Sequence, residues 1–416
     1  MSLADIAGLQ CVVCGRMYGF DVEGTCTQCG PDGILDVRFE YRRIRESLRA
    51  TPLATREQSL WRYVDLLPVD SALPRPPFQI GATPLLFAPR LAASLGIQKL
   101  LIKNEGANPS GSVKDRSSAM AVIKALEKGM KTVACASTGD SASSMSALAA
   151  AVGLRAYVFL PEKCPESDLV QSLLFGATVI RVKGNYTETV RLCDQACSEW
   201  GWYSGNHATN PYLIEGEKTL GHEIAEATQN EVPDWVVVPV GDGCTVAAVW
   251  KGIQEMHHLG ILPRRPRMLG VQARQVAPIA AAFRGAKEIE PQEGDTIADS
   301  IRVSRPADWR RALRAVRDSE GDFVTVSDED IFEGLHVTAR LAGASVGLAG
   351  GAAVAGLRGA VQERVISSRD SVLVVVTANG LKNVPEARNL VETPIEVEPD
   401  LGKIELQLAR RRARRA

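Results

Sequence analysis

From residue 100 onward, short apolar runs rich in β-branched residues alternate with stretches whose apolar positions recur at helical spacing. No other feature limits the fold as strongly. Residues 100–103, 132–136, 156–160 and 178–182 read as strands, and 117–128, 141–152, 166–176 and 186–200 as helices. The pattern resumes with a strand at 235–240 that runs into a glycine loop, a helix at 246–256, and strands at 268–272 and 372–377. Strands separated by helices need crossover connections, which set the strands parallel and cover the sheet faces with helices. The expected fold class is α/β with two parallel-sheet domains. Residues 342–359 are rich in glycine and alanine, which lowers helix propensity but permits close helix packing.

A chain of 416 residues exceeds one ordinary core, so two packed domains and a small extra element are expected. Its 48 basic and 49 acidic residues leave a net charge of −1, with no field of one sign to hold a nucleic acid or a membrane surface. A small-molecule partner is the expectation. No apolar run approaches the roughly 18 residues needed to span a bilayer, and the N-terminus has no basic segment followed by an apolar one. The expected location is cytoplasmic.

Four of the nine cysteines form two C-x-x-C pairs, Cys11 with Cys14 and Cys26 with Cys29, each followed directly by glycine (Gly15, Gly30). Four thiolates at this spacing satisfy tetrahedral zinc, and so short a segment needs such a staple to fold. Residues 1–45 are therefore expected to form a zinc ribbon, structural because it carries little basic excess. Unliganded cysteines or a redox pair are the alternatives; no βαβ pattern surrounds the cysteines to favour the latter. Cys135, Cys193 and Cys197 lie in periodic apolar segments and read as small buried hydrophobes.

A Pro-rich segment over 46–90 ends in Gly81-Ala82-Thr83-Pro84-Leu85. After it, Asn108-Pro109-Ser110-Gly111-Ser112-Val113-Lys114-Asp115-Arg116 turns and delivers one lysine to the start of a helix. Such a lysine can form an imine with an aldehyde cofactor where burial and the positive potential of a helix start keep some amine neutral. Taken singly, a lysine after a glycine loop also fits an ordinary solvated surface charge. In Gly241-Asp242-Gly243-Cys244-Thr245, between a strand and a helix, backbone amides can cradle an anion; a plain strand-to-helix turn looks the same. Ser137-Thr138-Gly139-Asp140-Ser141 precedes a helix, where hydroxyls and amides both cap the helix and bind a carboxylate.

The run from Lys103 to Ser112 leading into Lys114-Asp115-Arg116 resembles the cofactor-lysine motif of the threonine synthase family. Further similar blocks follow in order: Ser137-Thr138-Gly139-Asp140, Asn210-Pro211 with Glu215-Gly216 and Lys218-Thr219, Val238-Pro239-Val240-Gly241, Asp295-Thr296-Ile297-Ala298, and Thr377-Ala378-Asn379-Gly380-Leu381-Lys382. They spread over roughly residues 10–385, and the cysteine pattern also occurs in members of that family. The resemblance implies a fold of the pyridoxal-phosphate (PLP) type II kind, with PLP held as a Schiff base on Lys114. Gly241, Asp242, Gly243, Cys244 and Thr245 would hold its phosphate, Thr377 its pyridine nitrogen, and Asp140 would face its phenolic oxygen. Ser137, Thr138 and Ser141 would bind the substrate carboxylate. The implied organisation is a zinc-ribbon module at 1–45, a large PLP-binding domain from 46–115 and 210–395, a smaller α/β domain at 116–209, and a basic tail at 396–416. The run Arg410 to Arg415 reads as a frayed, solvated helix end. A homodimer is implied by analogy alone.

Departures from the family pattern cluster where its substrate would lie. Asp140 and Asp242 replace asparagines, and Ala208 and Leu213 replace the serine and arginine of a stretch that helps hold the phosphate of O-phosphohomoserine. The segment Val346-Gly347-Leu348-Ala349-Gly350-Gly351 replaces a Glu-Pro-Ala-Ser pattern. An arginine-to-leucine change alone removes a charge-assisted contact worth on the order of 1.5–3 kcal/mol. His207, in the altered stretch, is a candidate acid, base or substrate contact. The expected function is a threonine-synthase-like lyase or transferase that eliminates or replaces a group at the β or γ carbon of an amino acid, with Lys114 moving the α-proton. The alternatives are a true threonine synthase acting on O-phosphohomoserine, a cysteate-synthase-like β-replacement enzyme, and a catalytically silent PLP-binding regulatory protein.

Overall fold

The computed structural model describes residues 6–413 apart from 21, 23, 71, 72, 74, 163, 208, 286, 287 and 389; Ala208 and Arg415 lie outside the described residues. The first strands, β1 (Ile6–Cys11), β2 (Met17–Tyr18) and β3 (Leu35–Phe39), form an antiparallel sheet in the order β2-β1-β3. Leu35, Val37 and Phe39 alternate with Asp36 and Arg38, so one face of β3 is apolar. That face meets Leu9, Ile44, Leu66, Tyr212 and Leu259, which joins the small sheet to the body of the protein.

Two larger sheets follow. β4 (Leu85–Phe87) and β5 (Lys99–Asn104) belong to one; β6 (Thr132–Ala136), β7 (Arg155–Pro161), β8 (Thr178–Val182) and β9 (Tyr203–Ser204) make the other, all parallel, in the order β8-β7-β6-β9. The chain then returns to the first sheet with β10 (Trp235–Pro239), β11 (Arg267–Ala273), β12 (Asp322–Val326) and β13 (Ser371–Val376). Its order is β12-β11-β10-β13-β5-β4, parallel except for the edge strand β4. The alternating sequence pattern thus reads correctly as parallel sheets. In these two sheets β4, β9 and β12 are additions to the predicted strands; the first two are too short for a pattern, and β12 breaks its apolar run with half-buried Asp322 and Thr325.

β10 shows why its sequence is a continuous apolar run: both faces are covered. Trp235 and Val237 pack with the Leu348–Gln362 helix, while Val236 and Val238 pack with the Cys244–His258 and Trp309–Asp318 helices. The Gly/Ala-rich stretch becomes helical only from Leu348 and lies against the Asp328–Ala342 helix. Cys135, Cys193 and Cys197 are buried, as their apolar surroundings imply.

A buried ionic knot ties the Lys114–Glu127 and Thr219–Thr228 helices to the end of β5. The guanidinium of Arg116, with no exposure, donates to Glu105 through Nε and Nη2 at 2.7 and 2.9 Å. It also donates to Glu223 through Nη1 and Nη2 at 2.7 and 2.9 Å, and to Thr219 Oγ1 at 2.8 Å. Lys103 Nζ completes the set, 2.6 Å from Glu223 Oε2 and 2.6 Å from the Thr83 carbonyl.

Residues 1–383 form one compact unit and 384–416 a second. Within the second, the Leu401–Ala413 helix carries the first part of the basic run, and Arg411 pairs with Glu392. Among the described residues, no helix is long and apolar enough to cross a membrane.

The Lys114–Glu127 and Leu213–Glu217 helices touch at Gly216, where an added Cβ would sit 2.0 Å from the Arg116 carbonyl oxygen. Gly216→Ala is therefore expected to destabilise the protein by about 1–3 kcal/mol or more. Urea unfolding checks it; a midpoint equal to that of the parent would remove the claim that this contact sets the helix spacing.

Candidate active site

The loops after β6 and β10, the end of β13 and the start of the Lys114–Glu127 helix converge on a cavity of about 860 Å³, its open mouth included. Lys114, Ser137, Thr138, Asp140, Ser141, His207, Gly241, Asp242, Gly243, Cys244, Thr245 and Thr377 all line it. These are the cavity-side positions expected from the sequence, brought together from both sheets. The lysine loop is held to the β13 exit by backbone pairing: Asn379 N–H donates to Gly111 O and Val113 N–H to Thr377 O, each at 2.8 Å. Lys114 and Thr377 therefore face one space.

Residues 241–245 form a cradle at the start of the Cys244–His258 helix. Gly243 has φ +101°, and a Cβ there would lie 2.9 Å from Ala312 Cβ; at Gly241 it would lie 2.7 Å from the Ser300 carbonyl. With no Cβ at 241 or 243 to block approach, and with Asp242 Oδ1 turned to Ala307 N–H, the loop amides and the free amides of the helix start can hold a phosphate. With Lys114 as amine and Thr377 as hydroxyl on the facing walls, the donor set fits pyridoxal phosphate.

Lys114 Nζ lies 2.6 Å from Glu217 Oε1, 3.4 Å from Thr245 Oγ1 and 3.7 Å from Cys244 Sγ. The same Glu217 oxygen is 3.0 Å from His207 Nε2, and Oε2 accepts from Thr245 Oγ1 at 3.0 Å. Burial opposes ionisation of Glu217, but Lys114 and His207 outweigh it and hold the carboxyl below its ordinary range. Burial likewise pulls Lys114 down, yet it stays above its ordinary value. We assign that chiefly to Glu217, because burial pushes the Cys244 thiol up to about 12 and leaves it neutral at neutral pH. His207 is lowered, first by burial and then by the Lys114 charge.

Glu217 escapes the sequence pattern, although it stands between Glu215-Gly216 and Lys218-Thr219. One signal was present: residues two apart lie about 200° apart around a helix, so Glu215 and Glu217 cannot share one solvent face. Tyr186, Ser300 and Ala349 also line the cavity without having been singled out as contacts. Nearby, burial raises Asp308 to about 6 against the opposing charge of Arg311. Asp242 Oδ1 accepts from Ala307 N–H at 2.6 Å, and burial raises its carboxyl. Leu213 does not line the cavity; it is buried in the core around the four-stranded sheet.

In the N-terminal sheet, one sulfur each from Cys11, Cys14, Cys26 and Cys29 gathers so that all lie within 4.8 Å of one another. Gly15 and Gly30 take left-handed φ values of +74° and +61°, which turn each knuckle. Cys14 and Cys26 Sγ are 3.7 Å apart, matching the roughly 3.8 Å between thiolates tetrahedrally placed about 2.3 Å from zinc. No disulfide joins these cysteines. The donor set fits zinc.

Asp140, a negative charge without an obvious partner in the sequence, meets Lys382. That ammonium lies 3.2 Å from Asp140 Oδ1, 2.6 Å from Asp168 Oδ1 and 3.0 Å from Ser143 Oγ. Two carboxylates share one cation, and burial and then Asp140 raise the Asp168 carboxyl. Lys382→Met leaves both uncompensated and should cost about 3–5 kcal/mol in urea unfolding. Adding Asp168→Asn should recover part of it; no recovery would show that the ammonium is held for another reason.

The pyridoxal-phosphate dependent enzyme family model matches residues 77–378. Threonine synthase from Methanosarcina acetivorans is 40% identical over 402 residues, covering 95% of this chain and 97% of the relative. Its counterpart from Methanocaldococcus jannaschii is 38% identical over 397 residues, covering 94% and 97%. Among solved structures, diaminopropionate ammonia lyase from Escherichia coli superposes with a TM-score of 0.67 at 20% identity, covering 82% of this chain and 93% of that one. That likeness carries the fold alone. With Lys114 and its facing loops in one cavity, the chain belongs to the threonine synthase family of pyridoxal-phosphate-dependent enzymes.

Proposed function

We propose that this enzyme eliminates or replaces a group at the β or γ carbon of an amino acid, and that the departing group is not phosphate. The observation that carries the reading is the set of carboxylates around Lys114. Asp140 and Asp242 line the cavity, Glu217 pairs with Lys114 behind it, and Asp308 adjoins the Asp242 loop. Lys114 and Lys382 are already engaged by Glu217 and by Asp140 with Asp168. A substrate phosphate would meet repulsion where it needs donors. Leu213, being in the core, adds nothing to this; Ala349 supports it as a wall without a polar group.

In this reading the bound cofactor supplies the electron sink for charge developing next to the α carbon. Lys114 Nζ attaches the cofactor and takes the α-proton. Ser137, Thr138, Ser141 and the adjoining helix start hold the substrate carboxylate, while 241–245 fix the cofactor phosphate and Thr377 its ring nitrogen. The substrate is a small amino acid, the setting cytoplasmic, and the assembly a homodimer. The parent should show a visible cofactor band that shifts on adding amino acids, whereas Lys114→Ala should lose both band and turnover. O-phosphohomoserine should release phosphate at least 100-fold less efficiently than a leaving group that the enzyme accepts. Preferential turnover of O-phosphohomoserine over the other amino acids would overturn the non-phosphate reading.

We further propose that Cys11, Cys14, Cys26 and Cys29 hold one structural zinc. Elemental analysis should give one zinc per chain, lost in Cys26→Ser together with thermal stability. A metal-free parent of undiminished stability would reject it.

A further inference from the structure

We infer that His207 and Glu217 act together as the base for the second half of the reaction, making it a replacement rather than an elimination alone. The inference rests on the amino-acid chemistry proposed above. His207 lies on the cavity wall with its side chain 14% exposed, and Glu217 behind it is fully buried. Since Glu217 is ionised, His207 Nε2 carries the hydrogen of their 3.0 Å contact, and Nδ1 is left as the acceptor. A carboxylate behind an imidazole fixes its tautomer and orientation, and balances the charge when the ring takes a proton.

The loop carrying His207 is held on both sides. Asn206 Oδ1 accepts from Ala136 N–H and its Nδ2 donates to Asp194 Oδ1, each at 2.7 Å. Asn210 Nδ2 donates to Ser204 O at 2.8 Å. The charged and titratable groups that share the cavity or act on the ring are Lys114, Glu217, Cys244, Asp140 and Tyr186, each from a different helix, with Asp242 from the loop after β10 and Asp308 from just before the Trp309–Asp318 helix. Burial lowers the ring below its ordinary value and so disfavours a resting imidazolium, which leaves Nδ1 free to accept a proton.

In the step assigned here, a nucleophile H–X, with water as the simplest case, enters after the substrate group Y has left with its bonding pair. The H–X electrons become the X–C bond at the β or γ carbon, and the proton goes to His207 Nδ1. Lys114 Nζ returns the α-proton to carbon. His207 then gives its proton to solvent, where Y takes one up, so R–Y and H–X become R–X and H–Y. Glu217 is a positioning residue, acting through His207.

The test uses holoenzyme in D2O with O-phospho-L-homoserine, O-acetyl-L-homoserine and O-acetyl-L-serine, following α-deuterium incorporation and replacement product separately. His207→Gln should reduce product formation about 100-fold or more, at least tenfold more than it reduces exchange. In the parent, the acid limb of kcat/KM should fall below the ordinary histidine value of about 6.5. Glu217→Gln should move that limb to lower pH, because it removes the charge that favours the imidazolium. Equal loss of exchange and product in His207→Gln, or an unmoved limb in Glu217→Gln, overturns the inference; the second measurement decides if His207→Gln does not fold. A parent that exchanges no α-proton with any of the three sinks the underlying reading and this inference with it.

Discussion

Arg116 is the constraint on which the rest of the arrangement depends. It sits two residues after Lys114 in the same helix, wholly buried, and its five donors reach Glu105 after β5 and Glu223 and Thr219 of the Thr219–Thr228 helix. Burial disfavours a charged Glu223, yet Arg116 and Lys103 hold it at about 2. Removing one partner from such a buried set costs on the order of 3–5 kcal/mol, because the remaining charge is stranded. The first turn of the helix, and hence the direction of Lys114, is thereby fixed to the sheet that carries β5 and β13.

The same logic of paired buried charge shapes the cavity. Asp140, unpartnered in the linear sequence, shares Lys382 with Asp168, and Glu217 is balanced by Lys114. The consequence is a pocket whose fixed cations are already spoken for. Asp308, beside the Asp242 loop, is balanced in the same way by Arg311, whose Nε and Nη2 donate to it at 2.6 and 2.9 Å.

The cysteine-bearing sheet is wired into this network. Lys251 Nζ lies 2.7 Å from Asp36 on β3 and 2.6 Å from Glu215, two residues before Glu217. Glu215 also pairs with Lys218, which reaches Glu255. A structural metal in that sheet would steady β3, and through Asp36 and Lys251 the helix that presents Glu217.

By itself, the sequence determined the α/β alternation, the parallel strands, the position of Lys114 at a helix start, and the glycine and hydroxyl loops. These are local signals: periodicity, turn residues and strand-to-helix junctions act over a few residues. The cysteine spacing was equally legible, since C-x-x-C with a following glycine sets the knuckle locally. Only the tertiary structure decided the partners of the buried charges. Lys382 meets Asp140 and Asp168 across more than two hundred residues, Arg116 meets Glu223 between helices, and Leu213 goes to the core although its place in the motif pointed to the cavity. Burying a charge is costly unless another is brought to it, and which one arrives is settled by how the sheets pack, a matter on which no local pattern bears.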